Sequence, residues 1–349
     1  AKTTAKATKP KYEKIFALDI GTRSVIGIVA DKTPAGLKII ATERMEHKTR
    51  AMEDGQIHDV PQVASVIDTV KNALIKKVGP LKSAAVAAAG RALYTMTASA
   101  EMEFSGIITP EQERSLDFAG VQAAQAQLAT SGTVEDLANY YCVGYSTVKY
   151  ELDGTKLKTL VGQRGRVASA TVIATFLPRQ VIDSMHSALQ SVKLDMHALT
   201  LEPIAAINVL IPPTMRHLNL VLVDIGAGTS DVAITRNGSV IAYGMVPQAG
   251  DEITDAISQQ YLLDFNVAEQ LKRDATNGLQ CHFADIMGME YDLSATEVLK
   301  PVLPNIRKLA ESIAQQILEL NGNEPPQAII LVGGGSLTPH LSDYVAEIM

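Results

Sequence analysis

Asp19-Ile20-Gly21-Thr22-Arg23-Ser24 and Asp224-Ile225-Gly226-Ala227-Gly228-Thr229-Ser230 are the two stretches from which the fold can be read. Each follows an apolar run, Ile15 to Ile20 in the first half and Leu218 to Val223 in the second. Each also precedes one, Ser24 to Ala30 and Ser230 to Thr235. Apolar strand, Gly-rich turn and apolar strand make a hairpin. Read in sequence, the second copy carries one extra glycine. A chain of 349 residues that uses the same hairpin in each half reads as two related domains.

The surroundings of the two hairpins extend the parallel. A third strand is expected at Leu37 to Arg44. An amphipathic helix follows, with Asp59 as cap, Pro61 in the first turn and one apolar stripe of Val63, Val66, Ile67, Val70 and Leu74. Ser83 to Ala89 reads as a buried strand ending at Gly90. In the second half, Asn237-Gly238 is a hairpin turn leading into Ser239 to Val246, and helices are expected at Asp251 to Leu263 and Val267 to Asp274. One long helix is expected from Ala295 to Leu320. Glu324-Pro325-Pro326 ends it, and a buried strand, Ala328 to Val332, feeds Gly333-Gly334-Gly335 and a helix.

Between the first hairpin and Pro178 the texture changes. Thr109-Pro110-Glu111-Gln112 is a capping box opening a helix to about Ala129, and strands are expected at Tyr140 to Leu152 and Arg166 to Thr175. Residues 91–172 therefore read as a strand–helix–strand–strand insertion. Pro178 opens a further helix ending near Lys193.

The paired hairpins have a phosphate-binding rationale. Glycine lets the backbone turn tightly and approach an anion, and the exposed N–H groups can converge on phosphate oxygens. Thr22, Ser24 and Thr229 add hydroxyls, and Asp19 and Asp224 offer hard oxygens to a magnesium ion, directly or through water. Three other segments stand out: the Gly333–Ser336 run after a strand, Glu202 just before Pro203 opens an apolar helix, and Glu269 with Lys272 at i, i+3. Taken alone, each has a plain structural reading: a strand–helix turn, an acid at a helix N-terminus, a surface ion pair.

Composition narrows the classes. A net charge of -7 disfavours wrapping nucleic acid. Two cysteines, Cys142 and Cys281, in no CxxC pattern suit a reducing compartment and exclude a disulfide framework. The seven histidines are scattered without metal-ligand spacing. Residues 1–14 are Lys- and Thr-rich without an apolar core, so a disordered basic tail is expected and not a secretory signal. The chain begins without Met and stops inside a predicted helix, as a piece of a longer chain would.

In this order, Asp19 to Ser24, Leu201 to Ala206, Asp224 to Asp231 and Leu331 to Pro339 resemble the first phosphate, first connecting, second phosphate and adenosine motifs of the actin-like ATPase superfamily. Within it the chain resembles the bacterial cell-division family FtsA. Residues 91–172 stand where that family has its insertion domain. Gly162 to Val167, Leu201 to Ala206, Val246 to Thr254 and Ala268 to Lys272 also look like it. The resemblance implies an α/β fold of duplicated actin-like (ribonuclease-H-like) domains with a nucleotide cleft and a small α+β insertion domain. The implied first lobe is residues 15–90 plus 173–216, the insertion 91–172, the second lobe 217–265 plus 325–349, and a helical subdomain 266–324.

The resemblance further implies ATP and Mg2+ as cofactors. Asp19 and Asp224 would organise the metal. Gly21, Thr22, Arg23, Ser24, Gly226, Ala227, Gly228 and Thr229 would hold the phosphates, and Glu202 would position the attacking water. Glu269 and Lys272 would flank the ribose and adenine, with Gly250, Gly333, Gly334, Gly335 and Ser336 bordering the nucleoside. Arg23 departs from relatives with a small or polar residue there, and residues 275–294 carry no motif to check. The implied function is a cytoplasmic cytoskeletal adaptor of division, a weak ATPase at most. It would bind ATP/ADP, associate with itself and recruit the tubulin-like protein FtsZ. It would take no nucleic acid, and reach the membrane only through a segment absent from this sequence. A PilM-like pilus-assembly adaptor and a small-molecule kinase are the alternatives. The kinase is weakened by the absence of Trp and of any acceptor site. A chaperone is weakened by the lack of a β-rich peptide-binding domain after the adenosine motif.

Overall fold

The structure is a computed structural model that describes residues 12–53, 55–88, 93–131 and 139–349. Strands β1 (Glu13–Ile20), β2 (Ser24–Thr33) and β3 (Gly36–Glu46) are followed by the short pair β4 (Met52–Glu53) and β5 (Gln56–Ile57), helix α1 (Val60–Val78) and β6 (Ser83–Ala88). Next come β7 (Tyr94–Glu103), α2 (Pro110–Thr130), β8 (Tyr140–Leu152), β9 (Thr155–Leu157), β10 (Val167–Pro178), α3 (Arg179–Ser191), β11 (Asp195–Leu201) and α4 (Glu202–Leu210). The second half runs β12 (Leu220–Ile225), β13 (Ser230–Arg236), β14 (Ser239–Val246), α5 (Gly250–Tyr261), α6 (Phe265–Thr276), β15 (Cys281–Ala284), β16 (Glu290–Leu293), α7 (Ala295–Leu299), α8 (Leu303–Leu320), β17 (Ala328–Val332) and α9 (Leu341–Ile348).

The duplication extends from the turns to whole sheets. One sheet has the order β11-β6-β1-β2-β3 and another β14-β13-β12-β17. In each, an antiparallel meander gains a parallel strand beside its first member, β6 beside β1 and β17 beside β12. The order places both Asp-Gly turns at the ends of central strands, with a parallel neighbour alongside. In the first lobe, Asp59 caps α1 by accepting from the Gln62 N–H at 3.0 Å, and Val63, Ile67, Val70 and Leu74 point into the core. The helix lies so close to β2 that a Cβ on Gly27 would stand 2.6 Å from Val70 and 2.7 Å from Leu74. Glycine in this strand is therefore a packing requirement.

The insertion is a separate antiparallel sheet, β7-β10-β8-β9, with α2 laid across it. It has apolar clusters of its own around Leu116, Leu160 and Val172, and around Leu128 and Phe176. It also contributes to a shared one. Ile173 of β10 packs with Ile207 of α4, with Ile211 just after it, and with Leu222, Val240 and Tyr243 of the second lobe. Thr95 Oγ1 donates to the Tyr243 carbonyl at 3.3 Å, and Ser239 Oγ donates to the Thr147 carbonyl at 3.1 Å. The insertion thus touches both lobes.

Several elements differ from the sequence reading. The two turns are equal in length: Ile20 pairs with Val25 and Ile225 with Ser230, so four residues close each one. There is no extra glycine, and Arg23 occupies the place of Gly228. The long helix expected from Ala295 is broken at a 3-10 turn, Lys300–Val302, because Pro301 and Pro304 have no N–H for the helical ladder. β17 is an edge strand with half-exposed side chains, not a buried one. The glycines after it open a 3-10 turn, Gly334–Leu337, and not an α-helix. β9, β15 and β16 were not anticipated. β1 begins at Glu13, inside the expected tail, whose first eleven residues lie outside the described residues, as does the expected strand end at Ala89 and Gly90. Among the described residues no helix is long and apolar enough to cross a membrane.

Replacing Gly27 by Ala should push α1 off the sheet and lower stability by about 1–3 kcal/mol, in the range of overpacked cores. The shift in urea midpoint measures it, and an unchanged midpoint contradicts the close approach.

Candidate functional site

The two turns are built by the same local bond. The Gly21 N–H donates to the Ser24 carbonyl at 3.1 Å and the Gly226 N–H to the Thr229 carbonyl at 2.9 Å. A carboxylate precedes each turn at the end of a central strand: Asp19 faces Ile26 across the ladder, and Asp224 faces Asp231. The second turn is also tied to α5, whose Gly250 and Asp251 N–H groups donate to the Gly226 and Ala227 carbonyls at 3.2 and 2.8 Å. β17 runs beside Asp224 and delivers Gly333 with φ 82, in the left-handed region. A Cβ there would collide with Asp224 and the Ile225 carbonyl, so only glycine fits.

Both turns open onto one cavity of about 720 Å³ between the lobes. Asp19, Gly21, Thr22, Arg23, Ser24, Glu202, Asp224, Gly226, Ala227, Thr229, Gly250, Glu269, Lys272, Gly333, Gly334 and Gly335 all line it. Gly228 does not line it, being buried. Ser336 also stays off the wall, because its hydroxyl turns back to donate to the Gly333 carbonyl at 2.7 Å. Several of the lining hydroxyls are engaged within the protein. Thr22 Oγ1 accepts from the Gly55 N–H at 3.0 Å, Ser24 Oγ from Arg44 Nε at 3.3 Å, and Thr229 Oγ1 donates to Asp231 at 3.3 Å.

Glu269 and Lys272 are more than an exposed ion pair. They meet at 2.7 Å with both side chains largely buried, and Lys272 also donates to the Gly250 carbonyl and to Thr254 Oγ1 at 2.8 and 2.7 Å. Burial opposes the charge on Glu269, but Lys272 and the Thr254 hydroxyl outweigh it and hold the carboxyl below its ordinary range. Sequence reading missed Arg44, Arg273, Thr276 and Asn277, which also line the cavity. Glu269, Lys272, Arg273 and Thr276 fall at i, i+3, i+4 and i+7, so the helical stripe could have identified two of the four. Arg44 comes from β3 and only the tertiary fold brings it in.

The cleft floor is acidic. Burial, and then the charge of Asp224, push the Asp19 carboxyl up to about 6, although its surface stays open to the cleft. Burial also raises Asp224. Burial, with the charges of Asp19, Asp231 and Asp224, raises Glu202 well above a normal glutamate. One Glu202 oxygen is buried without a hydrogen-bond partner among the described residues. Among the described residues no three His, Cys, Asp or Glu side chains are grouped to hold a metal ion by themselves. Two carboxylates leave the rest of an octahedral shell to water and ligand oxygens, which is how Mg2+ is commonly held beside phosphates.

Duplicated sheets of this topology, with like turns facing one cleft, give the chain an actin-like fold. Within it, the sequence likeness is to FtsA. The family model for Cell division protein FtsA matches residues 221–349. Cell division protein FtsA of Bacillus subtilis (strain 168) is 19% identical over 351 residues, covering 97% of this chain and 77% of that protein. Among solved structures, the PilM-PilN type IV pilus biogenesis complex superposes with a TM-score of 0.68 at 14% identity, over 96% of this chain and 85% of that one. MreB5 of Spiroplasma citri bound to ADP superposes with a TM-score of 0.53 at 15% identity, over 97% and 90%.

The raised carboxyls fix a sign. An unfolded Asp releases its proton near pH ~4, whereas folded Asp19 holds it to about 6. Between those values the unfolded state gains, so stability of the ligand-free protein should fall as pH rises through this window. Asp19→Asn should flatten that slope in denaturant midpoints measured across it; an equal slope in the variant contradicts the assignment.

Proposed function

We propose that the chain is an FtsA-like division protein that binds Mg-ATP in the inter-lobe cleft and uses the nucleotide to control its association with itself and with a tubulin-like partner, FtsZ, at the membrane. The observation that carries this reading is the pair of equal Asp-Gly turns opening on the same cavity from opposite lobes. The Gly21 and Gly226 turns supply N–H groups for phosphate oxygens. Asp19 and Asp224 would hold Mg2+, which neutralises phosphate charge and would favour the ionised form of two carboxyls that burial raises. The Glu269–Lys272 pair and the Gly333–Gly335 turn would border the nucleoside. MreB5, of the same fold, was solved with ADP.

Glu202 would position the attacking water. At the start of α4, with one buried oxygen unpartnered, it has a free acceptor for a water proton. Its raised proton affinity favours that role over a permanent charge. Binding, rather than fast turnover, is the expected switch.

A second reading is favoured by the superposition on the PilM-PilN complex: an adaptor of pilus assembly with the same cleft and a different partner. Purified FtsZ retained by the immobilised chain supports the first reading. Retention of a PilN-type peptide and not FtsZ supports the second.

Calorimetry with Mg-ATP should register binding by the wild type and a loss on the order of tenfold or more for Asp224→Ala. Glu202→Ala should keep the affinity while hydrolysis slows about 10²–10⁴-fold. Wild-type affinity in the first variant, or wild-type turnover in the second, removes that residue from its role.

A further inference from the structure

At the mouth of the cleft one carboxylate is shared by three arginines. Glu46, near the end of β3, accepts from Arg23 Nε at 3.2 Å and from Arg44 at 3.2 Å, both of its own lobe. It also accepts from Arg273 of α6, in the other lobe, at 2.9 Å. Arg273 is held from behind by Glu269 at 2.9 Å. Glu46 itself does not line the cavity, whereas all three arginines do. The contact continues outward: Arg50 stands 4.4 Å from the centre of the Phe265 ring of the second lobe, and Arg23 5.9 Å from it. Next to Glu46, His47 grips the first turn from its main chain, donating its N–H to the Arg23 carbonyl at 3.0 Å, and its ring Nε2 lies 3.1 Å from the Gly21 carbonyl.

We propose that Glu46 is a positioning residue that clasps the two lobes together at the cleft mouth and links the first turn mechanically to α6. The equal length of the two turns explains how Arg23 comes to serve it. Arg23 sits at the position of Gly228, and its side chain leads away from the turn to Glu46 and Phe265. The electrostatics make the clasp depend on the carboxylate more than on any single cation. With Glu46 charged, Arg23 and Arg44 are bound to Arg273 through a common anion. Without it, three guanidiniums face one another across the lobes and the same residues repel. An isolated, half-exposed pair has little effect on stability, but a shared carboxylate changes the sign of the whole group. The clasp deepens the nucleotide reading, since a mouth held this way sets how readily a ligand leaves; the lobe distance itself does not depend on that reading.

The test uses spin labels on the exposed positions Lys76 and Lys308, introduced as Lys76→Cys and Lys308→Cys with Cys142→Ser, and pulsed dipolar distances without nucleotide. Wild-type lobes should give a narrow distribution. Glu46→Gln should shift it to longer distances, and Arg273→Gln, which removes only the cross-lobe partner, should shift it less. Added salt separates this from a general loosening: screening should widen the wild-type distribution and narrow that of Glu46→Gln. Release of a fluorescent ATP analogue should be about fivefold faster from Glu46→Gln, the factor expected when an interaction of this class is lost. Identical distances in wild type and Glu46→Gln, or salt responses of the same sign, overturn the clasp. Failure of the wild type to bind the analogue refutes the nucleotide reading and leaves the distances to decide the clasp.

Discussion

No side chain fits between the second turn and the strand that runs beside it. A Cβ on Gly335 would stand 2.5 Å from the Ile225 side chain and 2.8 Å from the Gly226 carbonyl, and Gly333 is as tightly placed. Gly250 approaches the Gly226 carbonyl from the third side. The backbone of the turn is therefore fixed by three glycine-mediated contacts from two segments, the exit of β17 and the start of α5, and the cavity takes its shape from them. The first turn is held by other means: the ring and main chain of His47, just after β3, and the Gly55 N–H on Thr22. Two turns with one internal geometry are thus braced by unlike surroundings, which is how a duplicated site becomes asymmetric.

The sheets were legible because they follow from local pattern. Alternation and turn residues located β8 at Tyr140 to Leu152 and the capping box at Thr109, and the apolar stripe located α1. The site was legible as far as repeated glycines and acids mark it. What escaped was set by tertiary arrangement. Arg44 and Arg273 reach the cavity from β3 and α6, and nothing in the local sequence of either announces the meeting at Glu46. The apparent extra glycine arose because sequence alone cannot say which residues of a turn face which across the ladder. Register settles it, with Asp19 opposite Ile26 and Asp224 opposite Asp231. The break in the expected long helix lay in plain view at Pro301 and Pro304, where a period of 3.6 continued through residues that cannot sustain the ladder.

The cleft floor and its mouth carry opposite electrostatic problems. At the floor, Asp19, Asp224, Asp231 and Glu202 crowd negative charge, and three of them hold their protons more tightly than free carboxyls. At the mouth, cations outnumber the acids that bind them, and burial opposing the charge on Glu46 is outweighed by Arg273, Arg23 and Arg44. A divalent cation at the floor would offset the first region's charge without disturbing the second.

The insertion sheet shares an apolar core with α4 and with β14, and is hydrogen-bonded to the second lobe through Thr95 and Ser239. It is mounted on both halves of the molecule at once. α4 begins with Glu202, so the helix that packs against this sheet also carries the cleft-floor residue that feels the charges of the two aspartates. The insertion therefore has a path of packed residues to the cleft floor that does not pass through the mouth.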